Sequence, residues 1–432
     1  MGANPRSSGR LGPGWALESA WVPLAVFVIF FLVWFVSEEG LFGFAGCDYR
    51  AFRASAEIAR SAGFAQVYDL AMQERFQRPL YDAYSFGDSR VGYATIPVPY
   101  LPVFILPFLA FLLIPPLPGL IAWTVLNLAA MVLYMFRLRK ALGCWDRFNT
   151  FAMVIFCFPA FLNLFLGQVN VWLFICMGEF LIASTRGQSF RSGLWVSGLL
   201  LKPQALFLLL PGLLIGRRFK AFAGCVAGGL IVLILSLLLG GTQGVLNATR
   251  MVLLYSRGMQ TNIPESMMNW RALEINLARL IPSPVAWGMA IAGLVLSCGA
   301  ALSLWLRRDT SASSRLPLVV MGTYAATCTV AWHAHVHMAL PLVVPLLLLE
   351  SRRLLPRGWL IAWVVVPTLA FVVTMVVLPT WTIELMGQSL LILNACLVVW
   401  AARSVWQAGG GRAAGRAGAS GLRATGGDGS LR

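Results

Sequence analysis

Long, unbroken apolar runs recur through this chain, near positions 20–36, 97–114, 119–136, 148–166, 171–185, 192–215, 221–240, 284–306, 316–331, 336–349, 358–378 and 384–402. A run of about 20 apolar residues crosses a hydrocarbon core as a helix. The runs are continuous rather than alternating, which excludes barrel strands. Charged residues make up only 12% of the 432-residue chain, against about 25% in a soluble domain. The expected fold class is therefore all-α, a polytopic integral membrane protein.

The net charge is +16, nearly all of it arginine; Lys140, Lys202 and Lys220 are the only lysines. Basic residues cluster in short connections and in the two tails, without interleaved aromatic residues. That pattern sets orientation and meets anionic headgroups; it excludes nucleic-acid binding. The eight cysteines form no CxxC pair or metal-ligand spacing. No cofactor is expected.

Treating every apolar run as a full span would put the basic clusters at 137–147 and 186–191 outside, against the positive-inside rule. Two runs are better read as false spans. "IPVPYLPVFILPFLAFLLIPPLP" is broken by prolines, which remove backbone donors. It reads as a juxtamembrane or re-entrant element on the outer side. "SGLLLKPQALFLLLPGLL" is broken at Lys202-Pro203 and reads as two half-helices that enter from the cytoplasm and meet inside the membrane. About ten full spans plus these two elements then satisfy the charge rule. The expected organisation is a cytoplasmic tail at 1–19 and a transmembrane domain at 20–403. Outer loops fall near 37–96 and 241–283, and a disordered basic cytoplasmic tail follows at 404–432. Positions 21–36 read as a retained signal anchor.

Chemistry-bearing residues collect on the outer side of that topology. Asp48 opens the first outer loop, ahead of an amphipathic stretch at 49–62 expected to lie on the membrane surface. It reads either as a helix N-cap or as a general base that takes a proton from a hydroxyl. Gln168 and Asn170, in "FLGQVN", read either as ligands for hydroxyl groups or as helix–helix hydrogen bonds. Lys202, with Gln204 beside it, sits at the helix break. There the ammonium and free backbone donors could hold a phosphate, unless Glu179 pairs with the lysine. Asn269 and Arg271 open an amphipathic segment that ends near Arg279. All three histidines, His333, His335 and His337, alternate in "WHAHVH". A metal site there lacks acidic or cysteine partners nearby, so none is expected.

Several landmarks occur in one order: "DYRAF" with "VYDL", then "PVPYLPVF", "GQVN", "GLLLKPQALFLLLPGLLIGRRFK", "MNWRALEINLARL" and "AWHAH". Over about 48–345 the chain resembles glycosyltransferase family 87, a branch of the GT-C membrane glycosyltransferases. The resemblance implies a GT-C fold and a polyprenyl-phosphate sugar donor, often a mannose donor, used on the outer face of a bacterial plasma (inner) membrane. It implies inverting transfer to a lipid or glycan acceptor, with Asp48 as base and His335 in the active site. The family often shows two adjacent histidines there, whereas Ala334 separates His333 from His335. Lys202, Gln168, Asn170, His333, Arg271, Asn269 and Gln204 are the expected donor- or acceptor-binding residues. The rival reading is a flippase or transporter of lipid-linked sugars, which needs no base.

Overall fold

A computed structural model of the chain describes residues 45–84, 93–142, 155, 157–256, 263–306, 315–377 and 381–421. The amino-terminal tail and the first expected span, 20–36, lie outside the described residues. Every regular element among those described is helical. In chain order they are α1 (Cys47–Ala62), α2 (Leu70–Tyr84), α3 (Leu106–Phe111), α4 (Pro116–Leu142) and α5 (Phe158–Leu166). Next come α6 (Asn170–Thr185), α7 (Ser189–Ser197), α8 (Leu209–Ile215), α9 (Phe219–Ser256) and α10 (Trp270–Leu277). The last are α11 (Ser283–Leu306), α12 (Leu316–Val330), α13 (Val343–Ser351), α14 (Arg357–Val377) and α15 (Thr382–Gly421).

Among the described residues five helices are long and apolar enough to cross a membrane, within α4, α9, α11, α14 and α15. Other apolar helices, α6 and α12 among them, are shorter, so the expected ten or so full spans are not all present as full-length helices. The reason is visible in α12, whose 15 residues are all buried in protein. A helix enclosed by other helices has no bilayer to match, so nothing fixes its length at about 20 residues. Its hydroxyls are satisfied internally: Thr323 Oγ1 donates to Val319 O (2.7 Å) and Thr327 Oγ1 to Thr323 O (2.9 Å). The lipid-ready surfaces lie elsewhere, with Leu230, Ile231, Ile234 and Leu238 on α9 and Ile291, Val295 and Leu296 on α11 all exposed.

The broken segment around Lys202 folds as a re-entrant element. A Cβ on Gly224 would sit 2.1 Å from Phe190 O, and one on Gly228 would sit 2.0 Å from Ser197 Oγ. So α7 and α9 run side by side in the same direction and begin at the same end. The chain between them must go in and come back. Lys202 (φ −135°, ψ 88°) interrupts the helix on this excursion, between 3-10 turns at Gly198–Leu201 and Pro203–Leu206. The proline-rich run has no regular structure over 93–101, then forms a 3-10 turn and short α3 before α4 begins.

The same contacts sort the charges. Arg137, late in α4, pairs with Glu179, late in α6. Arg186 and Arg191 lie on the connection into α7 and in α7 itself, and Arg217, Arg218 and Lys220 stand where α8 hands over to α9. Trp305, at the end of α11, packs against Gly212 and Gly216. These basic residues therefore gather at one pole. Asp48, Gln168 and the start of α4 lie at the other, since Gly119 meets the Tyr49 ring and Gly167 meets its Cβ.

One local expectation changes. Helix α1 is packed on most sides, with Tyr49, Ala51, Ala54, Ala56 and Ile58 each at most 1% exposed, so it forms a wall of the protein rather than a surface float. Helix α15 is described as far as Gly421, and residues 422–432 of the expected tail lie outside the described residues.

Candidate active site

Two left-handed glycines bring Asp48 and Gln168 together. Gly46 (φ 66°) is the residue before α1, and its N–H donates to Phe165 O at 2.7 Å. Gly167 (φ 72°) ends α5, and a Cβ there would lie 2.6 Å from Tyr49 Cβ. Trp123 Nε1 donates to Gly167 O at 2.9 Å and fixes the turn. Glycine alone meets both the positive φ and the close approach. The N-cap of α1 is Gly46, not Asp48, which sits in the first helical turn with no capping bond. Its carboxylate is thus available to the space in front of the helix. Asp48 is half-buried between buried Cys47 and Tyr49.

Gln168 accepts the Val169 N–H on Oε1 (3.2 Å). That contact turns its amide NH2 toward the Asp48 carboxylate and toward the Tyr100 hydroxyl. Burial raises the Asp48 carboxyl above the usual carboxylate range, opposed by Lys202, the Gln168 hydrogen bond and Arg50. Arg50 itself is buried and lies over the Tyr81 ring at 5.2 Å.

Lys202 is 6% exposed and acts electrostatically on Asp48 and on all three histidines. It is the point through which the two walls of the site communicate. The alternative partner, Glu179, is already engaged: Arg137 donates to both its carboxylate oxygens (2.6 and 2.9 Å) and Tyr134 donates a third bond (3.3 Å). The backbone at the break is also partly spent, because Lys202 N donates to Leu199 O at 2.9 Å. What the tip offers is chiefly the ammonium. Gln204 is half-buried in the next 3-10 turn, and none of its described side-chain contacts ties it to Asp48 or the histidines.

The histidines form a ladder. His333 and His335 meet edge-to-face with centroids 4.7 Å apart, and His335 stacks on His337 at 5.7 Å. Tyr255, from the end of α9, closes the outer end against His333 at 4.6 Å and also lies near Asp48. His335 and His333 are half-buried, whereas His337 is buried. Burial, aided by Lys202, pushes His335 down to about 4, so it is neutral near pH 7 and does not supply a cation to a phosphate. Ser266 Oγ donates its proton to Ile263 O (2.8 Å), so at 3.3 Å it accepts from His335 Nδ1–H. The other nitrogen, Nε2, is then an acceptor.

Two expected ligands are largely absorbed by the scaffold. Asn269 caps α10, accepting the Ala272 N–H (2.9 Å), and its amide donates to Ala331 O (2.8 Å) and Trp332 O (3.2 Å). It pins the histidine loop, which Met268 N–H also grips through Ala334 O (3.0 Å). Asn170 is fully buried, and both its backbone N–H and its amide donate to Asn163 Oδ1 (2.8 and 3.1 Å). Arg271 does reach the site: its guanidinium lies over the Trp332 ring at 4.1 Å and influences His333. Arg279 turns away, to Glu384 (2.9 Å) and Glu265 (4.0 Å). Tyr100, Tyr255, Ser266 and Arg50 were not singled out from the sequence. Arg50 and Tyr100 lie inside the landmarks "DYRAF" and "PVPYLPVF", whereas Tyr255 and Ser266 lie in none, and only the fold brings Tyr100, Tyr255 and Ser266 to Asp48 or His335. Among the described residues no group of three or more His, Cys, Asp or Glu side chains is arranged to hold a metal.

A carboxylate, an ammonium, a neutral imidazole and a guanidinium therefore converge from four chain segments, at the pole away from the basic connections. Such a set can take a proton, neutralise an anion and hydrogen-bond hydroxyls. In comparison with known proteins, the family model for Glycosyltransferase family 87 matches residues 99–332. Searches of curated proteins and of solved structures each returned no match.

Proposed function

From the premise that this chain belongs to glycosyltransferase family 87, we propose that it moves a hexose, mannose-like, from a polyprenyl-phosphate donor to a lipid or glycan acceptor, with inversion. The transfer takes place on the extracytoplasmic side of a bacterial plasma membrane, within a GT-C fold. The observation that carries this reading is the Asp48 carboxylate, held by Gln168 and facing Lys202 at the pole opposite the basic connections. Basic connections stay in the cytoplasm, so the sidedness follows from the charges.

The donor's prenyl chain remains in the bilayer while its phosphate meets the Lys202 ammonium. The acceptor hydroxyl attacks the anomeric carbon from the face opposite the phosphate. Asp48 takes the hydroxyl proton as the new C–O bond forms. The bond from the anomeric carbon to the phosphate oxygen breaks, and polyprenyl phosphate leaves with the bonding pair. Its charge is already spread over its oxygens and is neutralised by Lys202, so no strong general acid is needed. His335 Nε2 accepts a hydroxyl of the transferred sugar, Gln204 stands with Lys202 on the donor side, and His333 and Arg271 stand on the acceptor side. Asn170 and Asn269 keep the two amide-bearing turns in place.

Replacing Asp48 by Asn keeps the shape and removes the base. Transfer by the reconstituted protein is expected to fall by at least about 10²-fold, the usual scale for a general base, while binding of the lipid-linked donor persists. Full transfer by Asp48→Asn removes Asp48 from the mechanism and leaves the flippase reading, which needs no base.

A further inference from the structure

Trp332 is 47% exposed and is the one exposed side chain between Ala331 and His335. An indole in that position is costly unless something covers it or it anchors at a headgroup layer. Its surroundings are built to hold it still. Its backbone carbonyl and that of Ala331 both accept from the Asn269 amide. Arg271 lies over the ring at 4.1 Å, while Arg271 Nη1 is buried with no hydrogen-bond partner. Next along the chain, His333 has an equally unpartnered Nδ1 and leads to His335 at 4.7 Å. A rigid flat apolar face thus stands beside unspent polar groups and next to the histidines. A pyranose ring has matching chemistry: one face of C–H groups to lie on an indole, and an edge of hydroxyls to bond the guanidinium and imidazole.

We propose that Trp332, backed by Arg271, is the platform on which a sugar ring of the acceptor stacks, so that the acceptor is a saccharide-bearing molecule rather than a plain lipid alcohol. The assignment to the acceptor follows from depth. Lys202, which meets the donor phosphate, is 6% exposed, whereas Trp332 is 47% exposed and so open to a molecule that arrives from outside the protein. The proposal rests on the transferase reading above.

The test uses membranes carrying the full-length protein, or its Trp332→Ala, Trp332→Phe or Asp48→Asn variant, supplied with labelled polyprenyl-phosphate hexose. Transfer to the membranes' own acceptor is followed while octyl glucoside or octyl mannoside, below micelle-forming concentration, competes. Octanol at equal concentration is the control. The glycosides are expected to inhibit the wild type and octanol is not. Trp332→Ala is expected to need about tenfold more glycoside for the same inhibition, the loss of one aromatic stacking contact, and Trp332→Phe is expected to stay near wild type. Inhibition by octanol equal to that by the glycosides, no inhibition by either glycoside, or equal inhibition of wild type and Trp332→Ala overturns the platform. The last result leaves Trp332 as a headgroup anchor. Undiminished transfer by Asp48→Asn instead overturns the transferase mechanism, whatever Trp332 does.

Discussion

Asp48 is set by three neighbours that all favour its charged form, working against burial that disfavours it. Burial is the larger effect, so its proton is lost at a higher pH than an ordinary carboxylate would need. A base must be deprotonated to act, so the acid limb of kcat/KM is expected above the ordinary carboxylate range. Removing Lys202 as Lys202→Met takes away the leading stabiliser of the anion and moves that limb up by about one unit. Gln168→Leu moves it in the same direction by less. An acid limb that stays put, or moves to lower pH, in a pH–rate series of both variants contradicts this electrostatic account. Much at this scale was legible. A lone lysine beside a proline inside an apolar run, an aspartate at a loop start and a histidine cluster are costly in a membrane and stand out. Asn170 and Asn269 looked equally functional, yet their partners, Asn163 and the carbonyls of Ala331 and Trp332, are set by the fold. Tyr255 carried no signal, because a single tyrosine near an apolar run is ordinary at a membrane interface.

At the scale of elements, the position of Lys202 depends on how closely α7 lies on α9. Gly193 faces Ala221 O, where a Cβ would come within 1.8 Å, and Gly224 faces Phe190 O. Small residues let helix backbones meet, and in a bilayer such packing replaces the hydrophobic drive between helices. Gly224→Leu is expected to push α7 outward, carrying the re-entrant tip with it. The expected cost is about 1–3 kcal/mol of stability, typical of overpacking, with a greater than tenfold loss of transfer; Gly224→Ala is expected to lose less of both. Thermal stability in detergent and transfer rate, measured together, check this. Wild-type rate and stability in Gly224→Leu would show that the crossing does not position Lys202. The break at Lys202-Pro203 was readable because proline and an ammonium both oppose a continuous apolar helix. Full spans were harder to count, since a short apolar helix wrapped in protein, such as α12, has the same composition as one facing lipid.

The whole molecule has an electrostatic axis. Arg137, Arg186, Arg191, Arg217, Arg218 and Lys220 hold one pole, while the carboxylate, the histidine ladder, the buried lysine and the site arginines Arg50 and Arg271 lie toward the other. On the proposed reading the two substrates approach separately, a lipid-linked donor toward Lys202 and an acceptor toward the exposed Trp332. The donor is the central claim, and the direct measurement is a donor competition. Purified protein in liposomes, with acceptor lipids extracted from membranes, receives a hexose labelled either as its polyprenyl phosphate or as its nucleotide sugar. The account expects label to pass to acceptor from the polyprenyl phosphate alone. Comparable transfer from the nucleotide sugar, in liposomes free of any enzyme that makes the lipid-linked form, would contradict it.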